Sequence, residues 1–187
     1  MVQSPPRWCA AVLFLIAALL GGCCANNECN CDDAQADAIE LRFSADTLGS
    51  TGRGFRVADQ DTLVLKRYPL PYNPVGKFDS VTIYRRARQA RDSVVINNGA
   101  PFGQQGTAKL NAYRYTVQYL AHPPKKGRRA PVLVIQRVQL RGSLVATGCC
   151  TCYTNAEKTV FATVYRGGVA RDTVVDLKQR PYLLLTK

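Results

Sequence analysis

The sequence is poor in the residues and patterns from which most catalytic and cofactor sites are built. It contains one histidine, His122, one tryptophan and one methionine. No glycine-rich phosphate loop joins a strand to a helix, which argues against a nucleotide site. A hydrolytic triad or a histidine metal cluster would have to be built around His122, and nothing in the sequence positions partners for it. We therefore expect a protein that is not an enzyme and has no cofactor.

Long helical patterns are also missing. No segment longer than two turns carries an apolar stripe of period 3.6, whereas short runs of alternating or β-branched residues recur between turns. These runs cover residues 39–43, 62–65, 81–84, 94–96, 113–119, 132–140, 160–165, 173–177 and 182–186. The pattern predicts an all-β fold, an antiparallel β-sandwich (Ig-like or related) of about eight or nine strands, in preference to a barrel.

One apolar run, at residues 9–20, stands apart from the strand signals. It follows Arg7 and ends in small residues, which is the order of a secretory signal, and it is shorter than the roughly 20 residues of a membrane span. Its end, Leu20-Gly21-Gly22-Cys23, resembles the lipobox of bacterial lipoproteins. The resemblance implies cleavage before Cys23 and lipidation of the Cys23 thiol. Plain secretion with a cut near Ala25, or lipidation of Cys24, are the weaker alternatives.

The expected domain layout follows from that signal. Residues 1–22 are a lipoprotein signal peptide, residues 23–36 a lipidated cysteine-rich tether, and residues 37–187 a single β-sandwich domain. Because Cys24 rather than aspartate follows the lipidated residue, analogy with known lipoprotein sorting implies an outer membrane lipoprotein of the cell envelope. Which face of that membrane it occupies stays open.

The chain is strongly basic, and the expected compartment decides what that charge means. The formal charge is +12, and it becomes +11 when Arg7, the only charged residue before Cys23, leaves with the signal. Outside the cytoplasm the available polyanions are lipid phosphates, lipopolysaccharide and acidic glycans rather than nucleic acid. The expected partners are the membrane, through the lipid anchor, and an acidic glycan or another envelope protein.

Six further cysteines form two compact triads after the signal. Export into an oxidising compartment favours disulfides. Adjacent cysteines rarely reach disulfide geometry, and cysteines two apart on a strand are poorly placed for it, so we expect bonds between the triads rather than within them. The alternative is a thiolate site for zinc or copper(I). The disulfide candidates are Cys24, Cys29, Cys31, Cys149, Cys150 and Cys152.

Two basic clusters lie between predicted strands. As a functional feature they would form a rim that binds phosphate or acidic glycan, and as a plain one they are solvated loop charge. The candidate anion-binding residues are Arg85, Arg86, Arg88, Arg91, Lys125, Lys126, Arg128 and Arg129.

A tripeptide of aspartate, serine or threonine, and an aliphatic residue occurs five times. It resembles the O-glycosylation sequon of Bacteroidetes-type bacteria, which implies sugar on one or two exposed copies. The same pattern is also typical of a turn that opens a strand. The candidate acceptors are Thr47, Thr62, Ser80, Ser93 and Thr173.

Taken together, the lipobox, the sequon-like tripeptides and the cysteine triads resemble small, uncharacterised β-sandwich lipoproteins of Bacteroidetes-type bacteria. We expect a non-catalytic, lipid-anchored envelope protein that acts as a binding or structural module and is braced by disulfides. The two alternatives are a binder of acidic glycan or lipopolysaccharide through its basic loops and a thiolate metal-binding protein.

Overall fold

The computed structural model describes residues 28–31, 33–45, 54–120 and 129–187. These ranges form nine strands: β1 Ile39–Phe43, β2 Thr62–Pro69, β3 Asp79–Tyr84, β4 Val94–Ile96, β5 Tyr113–Leu120, β6 Arg129–Thr147, β7 Cys150–Arg166, β8 Val169–Asp176 and β9 Tyr182–Leu185. They also contain a one-turn helix, α1 Asp33–Ala36, and short 3₁₀ helices at Val57–Gln60, Ala87–Gln89 and Leu110–Ala112. The strands form a three-stranded sheet, β4-β1-β9, and a six-stranded sheet, β3-β2-β5-β6-β7-β8, which confirms the predicted all-β sandwich.

Several positions singled out in the sequence lie outside the described residues. They are the signal segment 1–22 and Cys23, Cys24, Thr47, His122, Lys125, Lys126 and Arg128. Arg129 is described through its backbone alone. In the ranges that the structure covers, no helix has the length and apolar character needed to cross a membrane.

The three-stranded sheet is built on β1, whose alternation is the one predicted. Ile39 and Leu41 are fully buried, while Arg42 between β1's apolar positions is exposed. β4 pairs with β1 in antiparallel fashion, whereas β9 pairs with it in parallel. The parallel pair departs from the predicted antiparallel arrangement, because the chain crosses from β8 in one sheet to β9 in the other before it joins β1.

The core lies between the two sheets. The inward side chains of the six-stranded sheet include Leu63, Val117 and Ile135, all fully buried. Burying a side chain of this size stabilises the fold by about 1.5–3 kcal/mol. Tyr113 and Tyr115 of β5 also belong to this core and are buried.

β6 and β7 continue well beyond the sandwich. Residues 129–135 of β6 pair with β5, and residues 159–166 of β7 pair with β8, but residues 141–147 and 150–157 pair only with each other among the described residues. We call this extension the hairpin arm. A register shift after Arg141 places Gly142 opposite Asn155. A Cβ atom at Gly142 would lie 2.6 Å from the backbone carbonyl oxygen of Thr154, so a larger residue there would require the backbone to move.

Candidate functional site

Among the described residues, two disulfide bonds, which we call the staples, join the N-terminal segment to the hairpin arm. They link Cys29 to Cys150 and Cys31 to Cys152, each with a Cα–Cα distance of 5.3 Å and a sequence separation of 121 residues. Cys149 is also disulfide-bonded. The two described bonds confirm that the triads pair with each other.

The order of the bonds shows how the segment lies on the arm. Both partners advance by two residues from the first bond to the second, so residues 29–31 run parallel to residues 150–152 of β7. Side chains two residues apart on an extended chain point the same way, which lets both cysteines of one segment face both cysteines of the other. The first such bond closes a loop of more than a hundred residues, a closure that removes about 4.7 kcal/mol of unfolded-chain entropy in the loop model.

The thiolate metal site was the alternative use for these cysteines. A zinc or copper(I) cage requires deprotonated thiols. Cys29, Cys31, Cys150 and Cys152 have their sulfur atoms in disulfide bonds instead. The structure therefore favours the disulfide interpretation at these four positions.

A cluster of buried polar side chains around Asp37 and Asn155, which we call the joint, lies at the base of the arm. It follows residues 29–31, which the disulfides attach to the arm. The side chain of Asn155 donates through Nδ2 to the carbonyl oxygen of Ala36 at 2.6 Å and to Oδ1 of Asp37 at 2.9 Å. The other carboxylate oxygen of Asp37 accepts from Nδ2 of Asn98 at 2.9 Å and lies 3.9 Å from Nζ of Lys109. Asp37 is 1% exposed, so these donors replace the water that a carboxylate requires. Sequence reasoning missed this joint, because its members are far apart in the chain.

Lys158 lies on β7 near the same joint. Burial lowers the pKa of its ammonium group, and the negative charges of Asp37 and Glu40 partly oppose that effect. This cation therefore helps to neutralise the carboxylates at the base of the arm, at the cost of its own hydration.

The first basic cluster divides into one internal and three external arginines. Arg85 is buried, and its guanidinium donates to Oε1 of Gln60 at 3.1 Å and to the carbonyl oxygens of Gln89 and Asp92. Desolvation lowers its pKa, with Asp92 opposing. Its donors hold the 3₁₀ turn at Ala87–Gln89 and the loop that follows. The remaining members, Arg86, Arg88 and Arg91, are exposed.

A set of aromatic rings and cations lies on the loop between β2 and β3, beside the start of β5. Tyr72 and Phe78 are 42% and 47% exposed, and each packs against Tyr68 with ring centroids 5.4 and 5.2 Å apart. The guanidinium carbon of Arg114 lies 4.1 Å from the centroid of Tyr72, and Nζ of Lys66 lies 4.7 Å from that of Phe78. Exposed rings beside cations are suited to stacking on sugars and pairing with acidic groups. The tyrosines and the prolines between them were the available sequence signal.

The sequon-like serines and threonines differ in accessibility. Ser80 on the edge strand β3 is exposed, whereas Thr62 and Thr173 are half-buried. Ser93 is half-buried, and its hydroxyl accepts from Nε of Arg42 and donates to Oε2 of Glu40, both at 3.1 Å. Among the described copies, Ser80 is therefore the most accessible to a modifying enzyme.

A cleft with a volume of about 650 Å³ lies between β8 and β9 in the described part of the molecule. Apolar side chains from both sheets line it, including Val164, Val175 and Leu183, together with Arg171 and Arg180 at its margins. Sequence analysis did not predict it, because a cleft between two sheets depends on how far each sheet extends. No protein-family model, no curated protein and no solved structure matches this chain.

Proposed function

We propose that this chain is a non-catalytic lipoprotein of the bacterial envelope, anchored through Cys23 and acting as a binding or structural module. The observation that carries the proposal is the pair of disulfides, Cys29–Cys150 and Cys31–Cys152, directly after the lipobox-like sequence. Disulfides of this kind persist in oxidising compartments outside the cytoplasm, which supports export.

The position of the disulfides determines which part of the protein an anchor on Cys23 would hold near the membrane. Six residue steps separate Cys23 from Cys29, and an extended chain of that length spans roughly 20 Å. A lipid on Cys23 therefore keeps the tip of the hairpin arm within roughly that distance of the membrane surface. The staple passes any pull on the anchor into β7, which is paired along its length in the six-stranded sheet.

The acyl chains alone would be sufficient to hold the protein at the membrane, without a contribution from the folded domain. Acyl chains contribute about 0.8 kcal/mol for each buried CH₂ group, so two or three chains hold the protein at the membrane permanently. The outer membrane is the proposed location. Cys24 is then the remaining cysteine of the first triad, and we propose that it also pairs with the second triad.

Metabolic labelling with an alkyne analogue of palmitate tests the proposal in a bacterium that processes lipoproteins. We expect label on the wild-type protein and on Cys24→Ser, which is the matched control. We expect Cys23→Ser to carry no label and to keep its N-terminal leader. Unlabelled wild-type protein, or equal labelling of Cys23→Ser, would contradict the lipid anchor.

Acidic glycan binding is the second candidate function. It is supported by the exposed guanidinium groups of Arg86, Arg88 and Arg91 and by the exposed rings of Tyr72 and Phe78. On a column of immobilised polygalacturonate we expect retention that falls as salt is raised, because exposed charges are screened. Tyr72→Ala with Phe78→Ala should elute earlier if stacking contributes, and replacing the three arginines by serine should elute earlier if charge dominates. Retention that neither variant alters would contradict this function.

A further inference from the structure

On one side of the sandwich, the six-stranded sheet extends beyond the three-stranded sheet. Neighbouring strands lie about 4.8 Å apart, so six strands span about twice the width of three. β8 is the last strand of the wide sheet and β9 the last of the narrow one, and the 650 Å³ cleft lies between them. The inward face of β8 is thus only partly covered, and Thr173 and Val175 remain half-buried.

Both strands that flank the cleft carry an open edge. Among the described residues, β8 pairs only with β7 and β9 only with β1. Each therefore presents backbone N–H and C=O groups along its second edge. A polypeptide in extended conformation satisfies such groups, whereas a hydrocarbon ligand leaves them unpaired. An additional strand is therefore the kind of ligand that these open edges are able to pair with.

The charges at the margin specify the chemistry of that strand. Arg166, Arg171 and Arg180 line the cleft together with a single acidic residue, Asp172. Oδ1 of Asp172 accepts from the hydroxyl of Thr163, its cross-strand partner, at 2.7 Å. Arg171 is the cross-strand partner of the buried Val164, so it shares the inward face of the sheet. The margin therefore has an excess of positive charge.

We propose that the cleft between β8 and β9 binds an extended, acidic segment of another protein as an additional strand. Its apolar side chains would cover Thr173 and Val175, and its carboxylates would pair with Arg171 and Arg180. A second copy of this chain is the poorer occupant, because both copies would bring a basic cleft margin and a strongly positive net charge. The inference deepens the proposed role as a binding module and rests on it.

A synthetic peptide tests the proposal with the full-length protein purified in detergent. The probe is a fluorescein-labelled octapeptide of alternating valine and threonine with aspartate at both ends, followed by fluorescence anisotropy. We expect saturable binding with a Kd below ~1 mM. Arg171→Glu with Arg180→Glu should weaken binding about tenfold, the sum of two modest charge pairs that become repulsive. Lys77→Glu with Arg137→Glu is the matched control, with the same charge change at exposed positions outside the lining of the cleft, and should bind as the wild type does.

A second peptide separates strand pairing from simple attraction of acid to base. N-methylation of alternate backbone amides removes donors from one edge of the peptide and leaves its side chains and charges in place. We expect the methylated peptide to bind at least about tenfold more weakly. Equal binding of the two peptides, equal loss in the control variant, or dimers that Arg171→Glu dissolves would each overturn the proposal. None of these outcomes bears on the lipid anchor, which is measured by palmitate labelling.

Discussion

Asn155 and Asp37 lie 118 residues apart in the chain, and Nδ2 of the buried amide donates to Oδ1 of the buried carboxylate at 2.9 Å. The same amide donates to the carbonyl oxygen of Ala36, where α1 ends. One side chain thus fastens the segment behind the disulfide staples to the base of the hairpin arm. The arm is held at its tip by covalent bonds and at its base by buried hydrogen bonds.

Replacing Asn155 tests the energetic weight of that joint. Asn155→Ala should lower the free energy of unfolding by about 3 kcal/mol, because the buried carboxylate of Asp37 loses a donor that water cannot replace. Urea denaturation followed by fluorescence measures the change. Asn111→Ala, at an exposed position, is the control and should stay within about 0.5 kcal/mol of the wild type. Similar decreases in the free energy of unfolding of the two variants would contradict a stabilising role for the Asn155–Asp37 hydrogen bond.

Removing one of the two disulfides should cost much less stability than removing both. With Cys29–Cys150 intact, the bond from Cys31 to Cys152 closes only a short ring, so the double variant Cys31→Ser, Cys152→Ser should cost about 2 kcal/mol or less. Full reduction opens the loop of more than a hundred residues and should cost about 5 kcal/mol or more. Denaturation with and without reductant compares them. A single removal as costly as full reduction would refute the shared-loop account, and a peptide map that links Cys29 to Cys152 would refute the pairing itself.

Accessibility predicts which sequon-like tripeptide carries sugar. Ser80 is exposed on an edge strand, whereas the hydroxyl of Ser93 is occupied by Arg42 and Glu40. In a Bacteroidetes-type host, Ser80→Ala should reduce the intact mass by one glycan increment, and Ser93→Ala should leave the glycan mass unchanged. The opposite pattern would mean that modification precedes folding of β3 and β4.

Because of Lys158, the free energy of unfolding should rise with pH in the alkaline range, below pH 10.5. Burial holds its pKa below the ordinary value of 10.5, so between the folded and unfolded pKa values the unfolded chain binds more protons and stability rises with pH. Lys158→Met removes this cost. The variant should therefore melt at a higher temperature than the wild type at pH 7, and the gap should narrow as pH approaches 10.5.

The control for the pH experiment is the exposed Lys77. Lys77→Met removes the same charge without a buried ammonium group, so its melting temperature should follow the wild type at every pH. A gap for Lys158→Met that stays constant from pH 7 to pH 10.5 would contradict the assigned cause.

Local pattern was enough to locate the strands. All nine predicted runs correspond to strands of the structure, because alternation of apolar and polar residues reports a sheet with one buried face. The same logic failed for the hairpin arm. Its residues 141–147 are exposed and carry no alternation, so the predicted strand ended at residue 140, and the run that corresponds to β7 was predicted only from residue 160.

The parallel pairing of β1 with β9 could not be predicted either. The apolar run at residues 183–185 indicates a strand that docks, and it does. Nothing local states which sheet it joins or in which direction, since those depend on the path of the chain after β8. The cleft between β8 and β9 is a consequence of that path.

For the cysteines, the sequence by itself favoured bonds between the two triads, because adjacent cysteines rarely reach the geometry of a disulfide. The tertiary structure alone decided that Cys29 meets Cys150 and Cys31 meets Cys152, since the register of an extended segment on β7 is a long-range property. The same division holds for Arg85, which the sequence places in a basic run and the fold turns inward to hold a loop. Residue type and spacing determine what a side chain is able to do, and packing across more than a hundred residues decides which of those possibilities is used.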